Sequence, residues 1–221
     1  MSVAEFYGRY AGLYDRIATL PGVGRWRAAL ADALALEPGD TVVEMGCGTG
    51  ANLPYLRERV GSDGTVVGID LTGPLLEVAR ARTSEYDNVH LLRGDATRPP
   101  IPDADAVVAS FVSGMFRDPA GVVAGWCTLV GPGGRVALLD AAVSDDPVGR
   151  LLNPAFRAFT RGTAPAPTTL DAVWAALDLG REDPLEPRVN AARKALAART
   201  TERRFEAFAL GFVGLLRGRV R

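Results

Sequence analysis

The sequence predicts an α/β fold, a mostly parallel sheet covered by helices on both faces, and three observations carry that prediction. Apolar runs of strand length alternate with segments of helical length, which is the layout of a parallel sheet. The run Thr41–Met45 leads straight into Gly46-Cys47-Gly48-Thr49-Gly50, a turn whose glycines let the backbone bend sharply and approach a ligand closely. Farther on, Gly131-Pro132-Gly133-Gly134 turns the chain abruptly into a fifth strand. At 221 residues and 48% hydrophobic, the chain suits one domain with a substantial core and is a poor candidate for disorder.

Taken in order, residues 5–16 and 25–35 read as two helices joined by the turn at 20–24, and residues 1–36 together are expected to form a helical lid. The core, residues 40–140, carries strands at Thr41–Met45, Thr65–Asp70, Val89–Arg93, Ala106–Ser110 and 135–140, short and mostly rich in Val, Ile or Leu. Helices are expected between them at 51–59, 74–82 and Pro119–Val130, where Pro74 and Pro119 suit a first helical turn. Residues 141–221 carry weaker signals. Helices are expected at 147–159, 170–177 and 187–198, with a Pro-rich connection at 161–167. Residues 203–209 and 212–216 around Gly211 read as an antiparallel hairpin closing the sheet edge.

The chemistry gathers at strand C-termini, outside which open α/β sheets bind their ligands. Gly46, Gly48 and Ala51 satisfy the G-x-G-x-x-G/A pattern of dinucleotide binders, and the helix behind the turn offers N–H groups to a ligand. A nicotinamide or flavin enzyme is therefore one reading. Asp70 ends the second strand, where a carboxylate can accept from both hydroxyls of a ribose. Leu71 offers an apolar wall for a base. Gly94-Asp95-Ala96 places a second carboxylate where it could accept from an exocyclic amine. Ser110 and Phe111 end the fourth strand at the expected reaction centre, and Glu44 stands two residues before the first glycine. Singly, each carboxylate could equally be a helix cap or a solvated turn residue.

Over residues 40–140 this series resembles the class I S-adenosylmethionine-dependent methyltransferases. The resemblance implies a Rossmann-like fold with a mostly parallel seven-stranded sheet and a C-terminal hairpin, and S-adenosylmethionine as cofactor. It implies further that Glu44, Gly46, Cys47, Gly48 and Gly50 flank the methionine part and that Asp70 holds the ribose. Leu71 would lie on adenine, Asp95 and Ala96 would read the adenine edge, and Ser110 and Phe111 would complete the site. The combination of the acidic residue, the Gly94-Asp95-Ala96 turn and the Gly131–Gly134 turn favours this family over a nicotinamide-dependent oxidoreductase.

Within the superfamily, Tyr14-Asp15-Arg16-Ile17-Ala18 followed by Gly24-Arg25-Trp26-Arg27 looks like the start of the ubiquinone/menaquinone-biosynthesis C-methyltransferases. The stretch Phe116-Arg117-Asp118-Pro119, continuing through Gly131–Gly134 to Val136-Ala137-Leu138-Leu139, looks like that group as well. The chain departs from the group at residues 111–115, where the family usually has an Arg-Asn pair, and at 161–167, which do not follow its substrate segment. By family position Tyr14, Asp15 and Asp118 are the candidate bases, while His90, the sole histidine, reads as structural. An apolar acceptor site edged by Ser110, Phe111, Ser113, Met115 and Phe116 suits a small lipophilic or aromatic acceptor such as a quinone precursor. A phospholipid amine N-methyltransferase and a non-catalytic cofactor-binding protein are the other readings.

Composition narrows the partners. Residues 1–180 hold 15 Arg against 21 Asp and Glu, while residues 181–221 hold 10 Lys and Arg against 5 Asp and Glu. That basic end could touch an anionic membrane surface, though an ordinary strand ending in a solvated tail is the favoured reading. No basic stripe interleaved with aromatics supports nucleic-acid binding. Cys47 and Cys127 make neither a disulfide framework nor a metal set, no run has membrane-span length, and a cytoplasmic location is expected.

Overall fold

The structure, a computed structural model, describes residues 23–163 and 185–221. The expected helix at 5–16, the helix at 170–177, and the candidates Tyr14 and Asp15 lie outside the described residues. The elements run α1 (Val23–Ala33), β1 (Thr41–Met45), α2 (Leu53–Val60), β2 (Thr65–Asp70), α3 (Gly73–Arg82), β3 (Val89–Arg93) and β4 (Ala106–Ser110). A 3-10 turn at Ser113–Met115 follows, then α4 (Pro119–Val130), β5 (Arg135–Ala141), α5 (Pro147–Thr163), α6 (Leu185–Arg199), β6 (Thr200–Phe208) and β7 (Val213–Val220).

The seven strands form one sheet in the order β3-β2-β1-β4-β5-β7-β6. The first five are parallel, and β7 inserts antiparallel between β5 and β6. Chain order reverses between β1 and β4, which opens a crevice at their C-terminal ends. Because successive strand residues face opposite sides, each parallel strand feeds two cores. Val42, Val66, Ala106, Val108, Ala137 and Leu139 join Leu30 and Leu34 and, from α2, Leu53 and Leu56 on one face. Val43, Met45, Val107, Val136 and Leu138 meet Trp126 of α4 and Leu196 of α6 on the other.

Most strand limits agree with the sequence expectation, and the differences have local causes. Helix α2 begins at Leu53 rather than 51, because the glycine turn continues through Gly50 at φ +72 and Pro54 then suits the opening turn. Helix α5 is helical through Thr163, the last described residue of this segment, and carries Pro154 in its interior. Helix α6 starts before Pro187, which sits in the first turn where an amide is not needed.

The C-terminal hairpin is longer than expected on both strands. Thr200 is buried at the start of β6, its hydroxyl donating to the Leu196 carbonyl at 2.7 Å. Strand β7 continues to Val220, so Arg217 and Arg219 are sheet residues and only Arg221 lies beyond. Arg219 donates to the Gly133 carbonyl at 3.2 Å and pairs with Glu202 at 3.7 Å. Helix α1, the described part of the expected lid at 1–36, packs on the core through Leu30 and Ala31. Among the described residues no helix is long and apolar enough to cross a membrane.

Candidate functional site

The turn after β1 is tied down by its own amides. Gly46 and Cys47 both donate to the Ile69 carbonyl, at 2.8 and 2.9 Å, and Gly50 donates to that of Cys47 at 2.9 Å. Gly46, Gly48 and Gly50 all hold left-handed backbone, at φ +71, +54 and +72, a conformation that disfavours side chains. A Cβ on Gly46 would also sit 2.9 Å from Val112, so the residues after β4 lie directly against this turn. The loop is thus a rigid cradle rather than a row of free donors. The Cys47 thiol is buried beneath Gly68, and burial pushes its pKa up, keeping it neutral.

Beneath the cradle runs a buried polar chain. Arg27 of α1 donates to the Asn52 side-chain oxygen, and the Asn52 amide donates to Glu44 Oε1 and, at 2.8 Å, to Ser110 Oγ. Ser110 in turn donates to Glu44 Oε1 at 3.2 Å. Glu44 Oε2 has no partner, although the side chain is fully buried. Burial pushes the Glu44 carboxyl up to about 7, against the opposing pull of Asn52 and Arg27. Arg27 and Asn52 escaped the sequence reading. Asn52 carries the familiar signature of a helix cap but makes no capping bond, and only the fold shows that it faces Glu44.

Asp70 is the hub of the next strand end. Its Oδ2 accepts from the Gly48 amide at 2.9 Å and its Oδ1 from Thr72 at 2.8 Å, which fixes the carboxylate beside the cradle with lone pairs to spare. Leu71 follows, 56% exposed at the end of β2. Asp95 is exposed, with Oδ1 accepting from Thr97, and Ala96 is buried with its carbonyl accepting from Trp126 at 2.8 Å. Phe111 adopts left-handed backbone at φ +57, strain of a kind concentrated at ligand sites.

The expected acceptor edge is only partly assembled as foreseen. Ser110 and Phe111 are half-buried and Met115 is 40% exposed, whereas Phe116 turns its edge to Trp126 at 5.6 Å, in the α4 layer, and Ser113 is buried. Asp118 caps α4, accepting from the Gly121 amide at 2.9 Å. His90 stands exposed within β3, away from the strand C-termini. No group of three or more His, Cys, Asp or Glu among the described residues could hold a metal ion.

The residues at this crevice fit an adenosyl sulfonium cofactor on structural grounds: an orphaned buried carboxyl oxygen suits a cationic group, Asp70 suits a diol, and Leu71 suits a flat base. Residues 43–138 match the family model of the methyltransferase domain. The chain is 33% identical over 174 residues to nocamycin O-methyltransferase of Saccharothrix syringae, covering 76% of this chain and 58% of that one. It is 32% identical over 144 residues to 2-phytyl-1,4-naphtoquinone methyltransferase of Thermosynechococcus vestitus, covering 63% of this chain and 64% of that one. The alignments thus span less than two thirds of these curated relatives. A crystal structure of a SAM dependent methyltransferase from Aquifex aeolicus superposes with TM-score 0.61 at 16% identity, covering 97% of this chain and 98% of that one, a likeness of fold. Family model, relatives and sheet order agree in what the chain is similar to: its residues 43–138 match the methyltransferase domain, and its fold is that of S-adenosylmethionine-dependent methyltransferases.

Proposed function

We propose that this protein transfers a methyl group from S-adenosylmethionine to a small, lipophilic or aromatic acceptor of the quinone or polyketide kind. The observation that carries the proposal is the cradle: Gly48 bonded to Asp70 on one side, and Glu44 with an unpartnered oxygen, reached through Asn52 and Ser110, on the other. The acceptor class draws on the names of the relatives, an O-methyltransferase of nocamycin and a phytyl-naphthoquinone methyltransferase. The apolar Phe111 and open Met115 beside Ser110 suit such a molecule.

The cofactor, when bound, supplies an electrophilic methyl group for in-line displacement. The protein's share is positioning, which for well-aligned groups is worth effective molarities of roughly 10⁵–10⁸ M. Asp70, held by two backbone amides, would orient the ribose, and Leu71 would cover one face of the adenine. Ser110 and Phe111 stand where the methyl donor and acceptor should meet. Asp118, engaged as a helix cap, is poorly placed to take a proton from the acceptor, which leaves Tyr14 and Asp15 as the family-position candidates for that task. The whole chain would act as one methyltransferase domain. The two buried free thiols suit a reducing compartment, so the cytoplasm is the proposed location.

Calorimetric titration with S-adenosylmethionine, S-adenosylhomocysteine and NAD(P)H tests the reading. Binding of the two adenosyl ligands alone is expected; binding of NAD(P)H alone would assign the crevice to a dinucleotide. Incubation with labelled cofactor and demethylated naphthoquinones, aromatic polyketides and phospholipid vesicles then separates the acceptor classes, with label expected in the first two.

A further inference from the structure

The crevice has a second buried carboxylate that the cradle does not use. Asp140 lies near the end of β5, alternating with Leu139 and so on the face of Val136 and Leu138, opposite Glu44. Its Oδ1 accepts from Ser113 Oγ at 2.8 Å, while its Oδ2 is buried without a partner. Arg193 reaches in from α6 and donates to the carbonyls of Asp140 and Gly214, both at 3.3 Å, with its guanidinium 5.4 Å above the Phe205 ring. Its Nε is buried and unpartnered as well. Two orphaned polar atoms in one cluster are costly, and a cluster kept only for stability would be better satisfied or apolar.

The cluster's connections indicate its use. Ser113 opens the 3-10 turn that follows β4. One residue earlier, Val112 lies against Gly46 of the cradle, and Phe111 holds its strained backbone. One residue later, Gly114 is wedged against α6, where a Cβ would come within 3.0 Å of Val189. Phe116 then ends the stretch with its ring on Trp126. Residues 111–115 are therefore held between the cradle on one side and Asp140 on the other.

We propose that Asp140 is a positioning residue, acting through Ser113 to set where residues 111–115 sit over the cradle and hence how cofactor and acceptor are seated. The proposal rests on the methyltransferase reading only for what the stretch positions. The groups facing Asp140 are Ser113 from the turn and Arg193 from α6, and Glu44 lies across the sheet. Burial pushes the Asp140 carboxyl up to about 6, opposed by the Ser113 hydrogen bond and the Arg193 charge. At neutral pH the ionised carboxylate accepts strongly from Ser113, and protonation loosens the hold.

The test uses the full chain without ligand. The indole N–H resonance of Trp126, which senses Phe116 directly, is followed against pH in ¹⁵N-labelled protein. A titration with midpoint near 6 is expected in the wild type and absent in both Asp140→Asn and Ser113→Ala, the first lacking the titrating carboxyl and the second the hydroxyl that links it to the turn. Thermal melts establish that both variants fold. The same midpoint in Asp140→Asn, or no titration in the wild type, overturns the proposal. Calorimetry at pH 7.5 supplies the functional readout: S-adenosylhomocysteine should bind Asp140→Asn about three- to tenfold more weakly, and unchanged affinity overturns the link to the cradle. A wild type that binds no S-adenosylhomocysteine would fault the cofactor reading instead, while the indole titration judges the positioning role separately.

Discussion

Asp70 and Glu44 show what single side chains contribute. Both Asp70 oxygens are anchored by main-chain amides, so replacing the residue removes a preorganised acceptor without disturbing a core strand. Asp70→Ala should weaken adenosyl-ligand binding by the loss of two ribose hydrogen bonds, about 1–3 kcal/mol in total, read by calorimetry. Unchanged affinity would remove Asp70 from the site. Glu44 titrates near 7 in the unliganded protein because burial opposes its charge. A cationic ligand group beside it favours the ionised form, so S-adenosylhomocysteine affinity should fall below pH 7, by at most about tenfold per unit. Glu44→Gln should flatten that dependence; a slope equal to that of the wild type would show that Glu44 does not sense the ligand. The candidacy of Glu44 was legible from its place before the glycines. Its partners were not, because Arg27 and Asn52 stand 17 residues before and 8 after it and meet only through the packing of α1 and α2 on one face.

At the scale of elements, four of the five parallel strands, all but the partly exposed edge strand β3, were readable because buried apolar runs between turns leave few other conformations open. The terminal hairpin was readable in kind but not in extent. Arginines at 217 and 219 look like a solvated tail until β7 is seen to lie between β5 and β6, where the ladder holds the backbone whatever the side chains are. Leu215, buried on β7, joins the core that also holds Leu139 of β5. Leu215→Ala should cost about 2–5 kcal/mol in chemical denaturation, as for other fully buried leucines. A loss well under 1 kcal/mol would mean that the hairpin contributes little to the core. The 3-10 turn after β4 had no sequence signal beyond an unusual stretch; its place depends on a serine hydroxyl meeting a carboxylate 27 residues away.

Across the whole molecule, the two buried carboxylates couple stability to pH. The Glu44 and Asp140 pKa values are raised from 4.5 to about 7 and from 3.8 to about 6, so the folded state binds more protons than the unfolded chain between those limits. Stability from these groups is present at low pH and lost as pH rises through the folded values. The unliganded protein should therefore lose on the order of 3–4 kcal/mol from them between pH 5 and pH 8, seen in denaturant titrations. Glu44→Gln with Asp140→Asn should remove most of that slope; an equal slope in the double variant would place its origin elsewhere. The sequence by itself determined the α/β class, the strand order along the chain and the glycine cradle with its carboxylates, because these depend on local periodicity, backbone freedom and residue chemistry. Only the tertiary structure decided that Glu44 and Asp140 lie buried on opposite faces of one sheet, with Arg27 and Asn52 gathered at the first and Ser113 and Arg193 at the second. Those meetings depend on which helix covers which face, and long-range packing sets that.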